Sequence, residues 1–262
     1  MPTFETNGVT LYYEDVGHGP PLVLLHGFPL SSDMWQPQRT ALQADFRIIT
    51  PDLRGMGRSD VPVTGYSMDV YAADVAALLN HLQLERVLLG GMSMGGYAVF
   101  AFLRRYRERV RGLILIDTQA APDDEETRAK RSALIDKVRS EGAAAIADTS
   151  KMFSEDTQRT NPELVTRMTS IMQATAVDGI VGALTAMIER PDATAVLQET
   201  DVPALVVVGR EDPLTPPDEA HAMQAALPHA ELLVLDGAAH AANLEQPDIV
   251  NQAIRAWAAK IE

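Results

Sequence analysis

Val87-Leu88-Leu89-Gly90-Gly91-Met92-Ser93-Met94-Gly95-Gly96-Tyr97 is the stretch on which the fold turns. It begins as a short apolar run of strand length and ends where a helical pattern opens, with Ser93 at the bend. Gly91, Ser93 and Gly95 form a G-x-S-x-G pattern, which gains meaning only in this strand–turn–helix setting. The glycines have a mechanical reason. Such a bend holds its serine in a strained backbone conformation, and a β-carbon at Gly91 or Gly95 would collide with neighbouring backbone. The bend exposes the Ser93 hydroxyl and aims a helix N-terminus at the oxyanion that would follow its attack.

Outward from this bend, Leu22–Leu25, Ile48–Thr50, Leu113–Ile116, Ala204–Val208 and Leu232–Leu235 repeat the pattern of its first residues. These runs are continuously apolar or β-branched rather than alternating, which predicts burial on both faces, as in a parallel sheet covered by helices. Helical patterns lie between them. Met68–Leu82 opens after Ser67, an N-cap type, Tyr97–Arg107 follows a Gly pair, and Asp248–Ile261 follows Pro247. Strand alternating with helix predicts a doubly wound α/β sheet of about eight strands. The start differs: Thr3–Thr6, Asn7-Gly8 and Val9–Tyr13 read as an antiparallel hairpin.

One region breaks the rhythm. Residues 122–200 contain no convincing strand, only the helix-like stretches Thr127–Glu141, Ala143–Phe153, Pro162–Thr175 and Ile180–Glu189. They read as a helical cap inserted into a core formed by residues 1–121 and 201–262. Met152, Met168, Met172 and Met187 lie in it. They either fill helix-packing gaps or line a pliable apolar pocket, since methionine adapts to irregular shapes.

Composition narrows the function classes. A formal net charge of −14 without clustered Lys or Arg argues against nucleic-acid binding. No apolar run is long enough to span a bilayer, so no membrane role is expected. The absence of cysteine removes disulfides, thiolate nucleophiles and Cys-ligated zinc, and fits a cytoplasmic location. The first residues show no basic segment followed by an apolar one, so no secretory signal is read there. No metal-binding His-Glu-x-x-His cluster is present, and no cofactor or metal is expected.

Near neutral pH a serine hydroxyl needs a base, and six histidines compete. His240, in Asp236-Gly237-Ala238-Ala239-His240, follows the last expected strand, where a loop reaches over the carboxyl edge of the sheet. His81, His221 and His229 are better explained as solvated surface groups. The orienting carboxylate is expected to be Asp212, in Gly209-Arg210-Glu211-Asp212-Pro213, after the penultimate strand. Glu211 is expected to point away. Asp117, after the strand at Leu113–Ile116, is the rival, with a turn cap as its plainer role.

The chain order Ser93, Asp212, His240 completes a pattern. With Leu24-Leu25-His26-Gly27-Phe28-Pro29 and Pro51-Asp52-Leu53-Arg54-Gly55-Met56-Gly57-Arg58-Ser59, the sequence resembles the α/β-hydrolase fold superfamily, in its capped, esterase-like branch. The resemblance implies an oxyanion hole from the backbone N–H groups of Phe28 and Met94, and a structural role for His26. The Asp52–Ser59 stretch would shape the wall behind the nucleophile, with Arg54 and Arg58 as fold-stabilising ion pairs. Trp35, Tyr97, Met152, Met172 and Met187 are the candidate pocket residues.

These residues point to a serine carboxylesterase acting on small to medium acyl esters. Enol-lactonase or C–C bond hydrolase chemistry is the alternative, and Phe28-Pro29 resembles the oxyanion loop of cofactor-free haloperoxidase-like perhydrolases, which implies ester perhydrolysis as a side activity. A non-catalytic receptor for a small apolar ligand is the reading from a different class. The partner expected is a small-molecule ester, and monomer and homodimer both stay open.

Overall fold

The computed structural model describes residues 2–261. The elements, in chain order, begin with β1 (Thr3–Thr6), β2 (Val9–Gly17), β3 (Pro21–Leu25), α1 (Gln36–Leu42), β4 (Arg47–Pro51), α2 (Met68–His81), β5 (Val87–Met92), α3 (Met94–Tyr106) and β6 (Val110–Ile116). There follow α4 (Glu125–Glu141), α5 (Glu155–Thr160), α6 (Pro162–Ala174), α7 (Val177–Ile188) and α8 (Thr194–Gln198). The chain ends with β7 (Ala204–Gly209), α9 (Pro217–Ala226), β8 (Ala230–Leu235), α10 (Ala242–Glu245) and α11 (Pro247–Ala258).

The strands form one eight-stranded sheet in the order β1-β2-β4-β3-β5-β6-β7-β8. β1 and β2 are an antiparallel hairpin, and β2 pairs antiparallel with β4. From β4 to β8 every pairing is parallel. The hairpin turns on Asn7 and Gly8, both at positive φ, the requirement of a type I′ turn. Continuous apolar runs are explained by alternation between two buried faces. Val23, Leu25, Leu113, Leu115, Val206 and Val208 pack into one apolar cluster. Leu22, Leu24, Ile114, Ile116, Leu205 and Val207 pack into the other. α2 and α3 cover the first cluster, whereas Trp257 and Ile254 of α11 anchor the second. Ser67 caps α2 by accepting the Val70 N–H.

Between β6 and β7 the chain is helical throughout, from α4 to α8. The expected helix over Ala143–Phe153 does not form. Gly142, at φ 75°, ends α4, and a short 3-10 turn covers only Gly142–Ile146. The Asp148 carboxylate then accepts the Ser150 N–H, a local turn that competes with helix continuation. This helical segment touches the sheet domain at specific points. The Thr175 hydroxyl donates to the Pro29 carbonyl at 3.0 Å, and the Glu245 carboxylate accepts both the N–H and the hydroxyl of Ser154 at 2.9 and 2.7 Å. No single helix among the described residues is long and apolar enough to cross a membrane.

Candidate active site

The strand order fixes where a site can form. The chain goes from β3 to its neighbour β4 on one side, then returns to β5 on the other. The carboxyl ends of β3 and β5 therefore flank the switch point, the place where open α/β sheets bind their ligands. Leu25 pairs with Gly91, so the His26-Gly27-Phe28 loop and the Met92-Ser93-Met94 bend emerge side by side. A β-carbon added to Gly27 would lie 3.5 Å from Ser93 Cβ, which measures their proximity.

Ser93 sits at φ 51° and ψ −117°. For a non-glycine residue such a conformation costs on the order of 1–3 kcal/mol and persists only where the surroundings enforce it. Here the Ser93 N–H donates to Ile116 O at 3.0 Å, and the Ser93 carbonyl accepts from Gly96 N–H and the Thr118 hydroxyl, both at 2.8 Å. The glycines leave the required space. A β-carbon at Gly91 would stand 2.3 Å from Gly95 C, and one at Gly95 would stand 2.2 Å from Leu25 O. Helix α3 starts immediately after Ser93, earlier than the sequence pattern suggests, because Ser93 O already accepts its first turn.

The His240 loop closes over this bend. His240 Nε2 lies 2.9 Å from Ser93 Oγ, although 147 positions separate them. Its Nδ1 lies 2.8 Å from Asp212 Oδ2. With Asp212 accepting, Nδ1 carries the proton and Nε2 is left to accept the serine proton. Burial works against a charged His240 ring. The hydrogen bond and charge of Asp212, with the charge of Asp117, outweigh it and hold the imidazolium above its ordinary 6.5, against an opposing push from Arg131. Asp212 is buried too, yet His240 and Thr215 hold its carboxyl below the usual range. Asp212 Oδ1 accepts the N–H groups of Leu214 and Thr215 at 2.8 and 3.0 Å, and Oδ2 accepts the Thr215 hydroxyl at 2.7 Å. Thr215 is the site residue that the sequence reading missed; an Asp followed three positions later by Thr is a turn signal that would have marked it. Glu211 is exposed, as expected.

Two backbone donors on either side of the bend are free. Among the described residues the Phe28 and Met94 N–H groups have no acceptor, and Met94 is the first residue of α3. Phe28 N–H is held in place by its loop, where Leu30 N–H bonds Gly27 O at 2.9 Å and Phe28-Pro29 is a cis peptide. His26 stands behind. It is fully buried, its ring bonds Gly27 O at 2.9 Å through Nδ1, and its Nε2 accepts the Leu53 N–H at 3.0 Å. Burial pushes His26 down, with Asp52 opposing, so the ring stays neutral and acts as a strut between two loops.

Asp117, the rival carboxylate, makes no hydrogen bond to His240. Its Oδ1 accepts Gly209 N–H at 2.9 Å and its Oδ2 accepts Ala242 N–H at 2.8 Å. Burial, then the charge of Asp212, push it up to about 7, against His240 and those two N–H groups. Arg54 makes a buried two-pronged pair with Asp74 at 2.6 and 2.7 Å, and Arg58 bonds Asp52 and Asp33. Both arginines are tied to the fold. His81, His221 and His229 are exposed, but His81 is not merely solvated: its ring stacks on Phe4 at 5.4 Å.

The five candidate pocket residues are all buried, and they fall into two apolar clusters. Trp35, Met152 and Met172 belong to one apolar cluster, Tyr97 and Met187 to the other. The Arg190 guanidinium covers the Tyr97 ring at 4.0 Å. Phe28 and Ser93 are only half-buried, so they mark the open side of the site. Among the described residues, no group of three or more His, Asp or Glu side chains is arranged to hold a metal ion.

A parallel sheet with a helical insertion, a strained serine at its switch point and an imidazole–carboxylate pair beside it define an α/β-hydrolase arrangement. The alpha/beta hydrolase fold family matches residues 20–247, and the chain belongs to that family. Over 99% of its length it superposes on a thermophilic esterase from Thermogutta terrifontis, with a TM-score of 0.94, 42% identity and 97% of that chain covered. It is 30% identical to 3-oxoadipate enol-lactonase 2 of Acinetobacter baylyi, over 97% of this chain and 95% of the relative. It is 32% identical to the non-heme chloroperoxidase of Streptomyces lividans, over 96% and 97% respectively.

Proposed function

We propose that the protein is a serine carboxylesterase that hydrolyses small to medium acyl esters through an acyl-enzyme intermediate. The single observation that carries this reading is the continuous line Ser93 Oγ, His240 Nε2 at 2.9 Å, then His240 Nδ1 and Asp212 Oδ2 at 2.8 Å. His240 takes the Ser93 proton as Ser93 Oγ attacks the ester carbonyl. The tetrahedral oxyanion is received by the Phe28 and Met94 N–H groups, and two preorganised donors favour that charge over the ground-state carbonyl. His240 then protonates the departing alcohol, and water repeats the sequence to release the acid. Asp212 holds the ring's tautomer and stabilises its charged form. The helical segment 122–200 serves as a cap that limits acyl length.

The likeness to the thermophilic esterase supports an ester substrate. A second reading, lactone hydrolysis, draws support from the enol-lactonase relative, and needs only that alcohol and acid belong to one molecule. The test is turnover of p-nitrophenyl acetate and butyrate against a set of lactones, by the wild type and by Ser93→Ala. Ester turnover that vanishes in Ser93→Ala is expected. Lactone turnover that exceeds ester turnover favours the second reading, and an inactive wild type defeats both.

A further inference from the structure

Asp117 is a fully buried carboxylate for which the proposed reaction has no use. Its place in the fold is unusual. It stands at φ 44°, a left-handed conformation rare outside glycine but tolerated by Asp and Asn. Its own N–H is tied to Val207 O at 2.9 Å. The residue before it, Ile116, accepts the Ser93 N–H, and the residue after it, Thr118, donates to the Ser93 carbonyl. Its side chain then spans the other two segments. One oxygen takes the N–H of Gly209, three residues before Asp212, and the other takes the N–H of Ala242, two residues after His240. The three residues 116–118 are thus where the segments bearing Ser93, Asp212 and His240 are tied together.

We propose that Asp117 is a positioning residue: its carboxylate fixes the spacing between the Asp212 and His240 loops and places a second negative charge behind the imidazole. The proposal rests on the Ser93–His240–Asp212 reading of the reaction. A buried carboxylate with only two backbone donors and no cation is otherwise a costly group to keep. Both of its oxygens are committed to the loops of the candidate triad, so its cost is borne at the site. The direction of the electrostatic effect follows from the neighbours. His240 bonds Asp212 from the loop after β7 and Ser93 from the bend, and the charges of Asp117 at the end of β6 and of Arg131 on α4, itself paired with Asp123, also act on it. Asp117 is faced by Asp212 and His240. Where Asp117 is ionised, above about 7, removing its charge takes away one of the two carboxylates that favour the imidazolium, so the imidazole gives up its proton more readily.

The test is Asp117→Asn, which keeps the shape and tolerates the positive φ, beside Asp117→Gly, which keeps only the backbone freedom. The amide of Asn presents an NH2 to one of two N–H donors, so one tie becomes a repulsive contact. In a folded Asp117→Asn protein kcat on p-nitrophenyl acetate should fall about ten- to a hundredfold, the loss of a charged hydrogen bond. KM should stay within about threefold, because no substrate contact is removed. The acidic limb of the kcat/KM profile should move down by about half a pH unit or more. A merely structural role would leave that limb in place, and an unmoved limb with kcat within about twofold overturns the proposal. It is also overturned if Asp117→Asn falls to the Ser93→Ala level while Asp212→Asn stays active, since Asp117 would then be the orienting acid. Where neither variant folds, the Gly209 and Ala242 amide protons of the wild type carry the test by NMR. They should titrate together with one midpoint, and independent or static behaviour overturns the tie. A wild type that neither turns over esters nor labels at Ser93 sinks the reaction reading instead, and the amide titration still tests the tie.

Discussion

Exchange of Asp212 for Asn separates tautomer control from packing. Asp212 Oδ1 accepts two backbone N–H groups, from Leu214 and Thr215, whereas Oδ2 faces the Thr215 hydroxyl and His240 Nδ1. In Asp212→Asn the amide carbonyl must keep the Oδ1 place, because an NH2 there would meet two donors. The NH2 therefore points at His240 Nδ1 and donates to it. A ring that accepts at Nδ1 carries its proton on Nε2, the atom 2.9 Å from Ser93 Oγ, and it cannot take a second proton from the serine. The expected loss in kcat is about 10⁴-fold, or about 5.5 kcal/mol of barrier. KM should change little, since Asp212 is buried away from the open side, and thermal stability should drop by far less than a buried-pair deletion would cause. Initial rates with p-nitrophenyl acetate across the pH range measure this. Retention of more than about a tenth of wild-type kcat/KM would refute the tautomer argument.

Because Asp212 and Asp117 outweigh burial and hold His240 above 6.5, and the reaction needs the neutral ring, the acidic limb of kcat/KM should have its midpoint above 6.5. A midpoint below that value contradicts the balance of forces given for the ring. Gly95→Ala would place a β-carbon 2.2 Å from Leu25 O, a clash with backbone that no side chain can relieve, and it should abolish folding or activity. Gly142→Ala meets nothing within 4 Å but must hold φ 75° and ψ −166°, a backbone region open essentially to glycine, so its cost should be about 1–3 kcal/mol by chemical denaturation. Arg54→Ala leaves Asp74 charged and buried, at a cost of about 3–5 kcal/mol. For a chain of this size that corresponds to a fall of roughly 10 °C in thermal midpoint.

The parts of the molecule that are local in sequence were legible there. A glycine-flanked serine between strand and helix is a five-residue matter of steric exclusion, and continuous apolar runs declare burial on both faces. The hairpin was legible because Asn-Gly is one of few dipeptides that accept two positive φ values. What could not be read depends on separations that no local rule spans. Asp117 finds its partners 92 and 125 positions away, so a turn cap was as good an expectation as a brace. The Ala-rich stretch after Gly142 has helix-forming composition, but Asp148 bonds the backbone of its own turn. Met152, Met172 and Met187 were recognisable as apolar and adaptable, yet spacing alone could not tell which of two clusters each would join. Thr215 was missed because its hydroxyl matters only once Asp212 and His240 are seen to meet.

In the proposed reaction Ser93 is an activated nucleophile because His240 Nε2 lies 2.9 Å from its hydroxyl. Peptide mapping by mass spectrometry after treatment with a fluorophosphonate tests this directly. One adduct on Ser93 in the wild type, and none at the same exposure in His240→Ala, is the predicted result. An adduct on another residue, or undiminished labelling of Ser93 without His240, would contradict it.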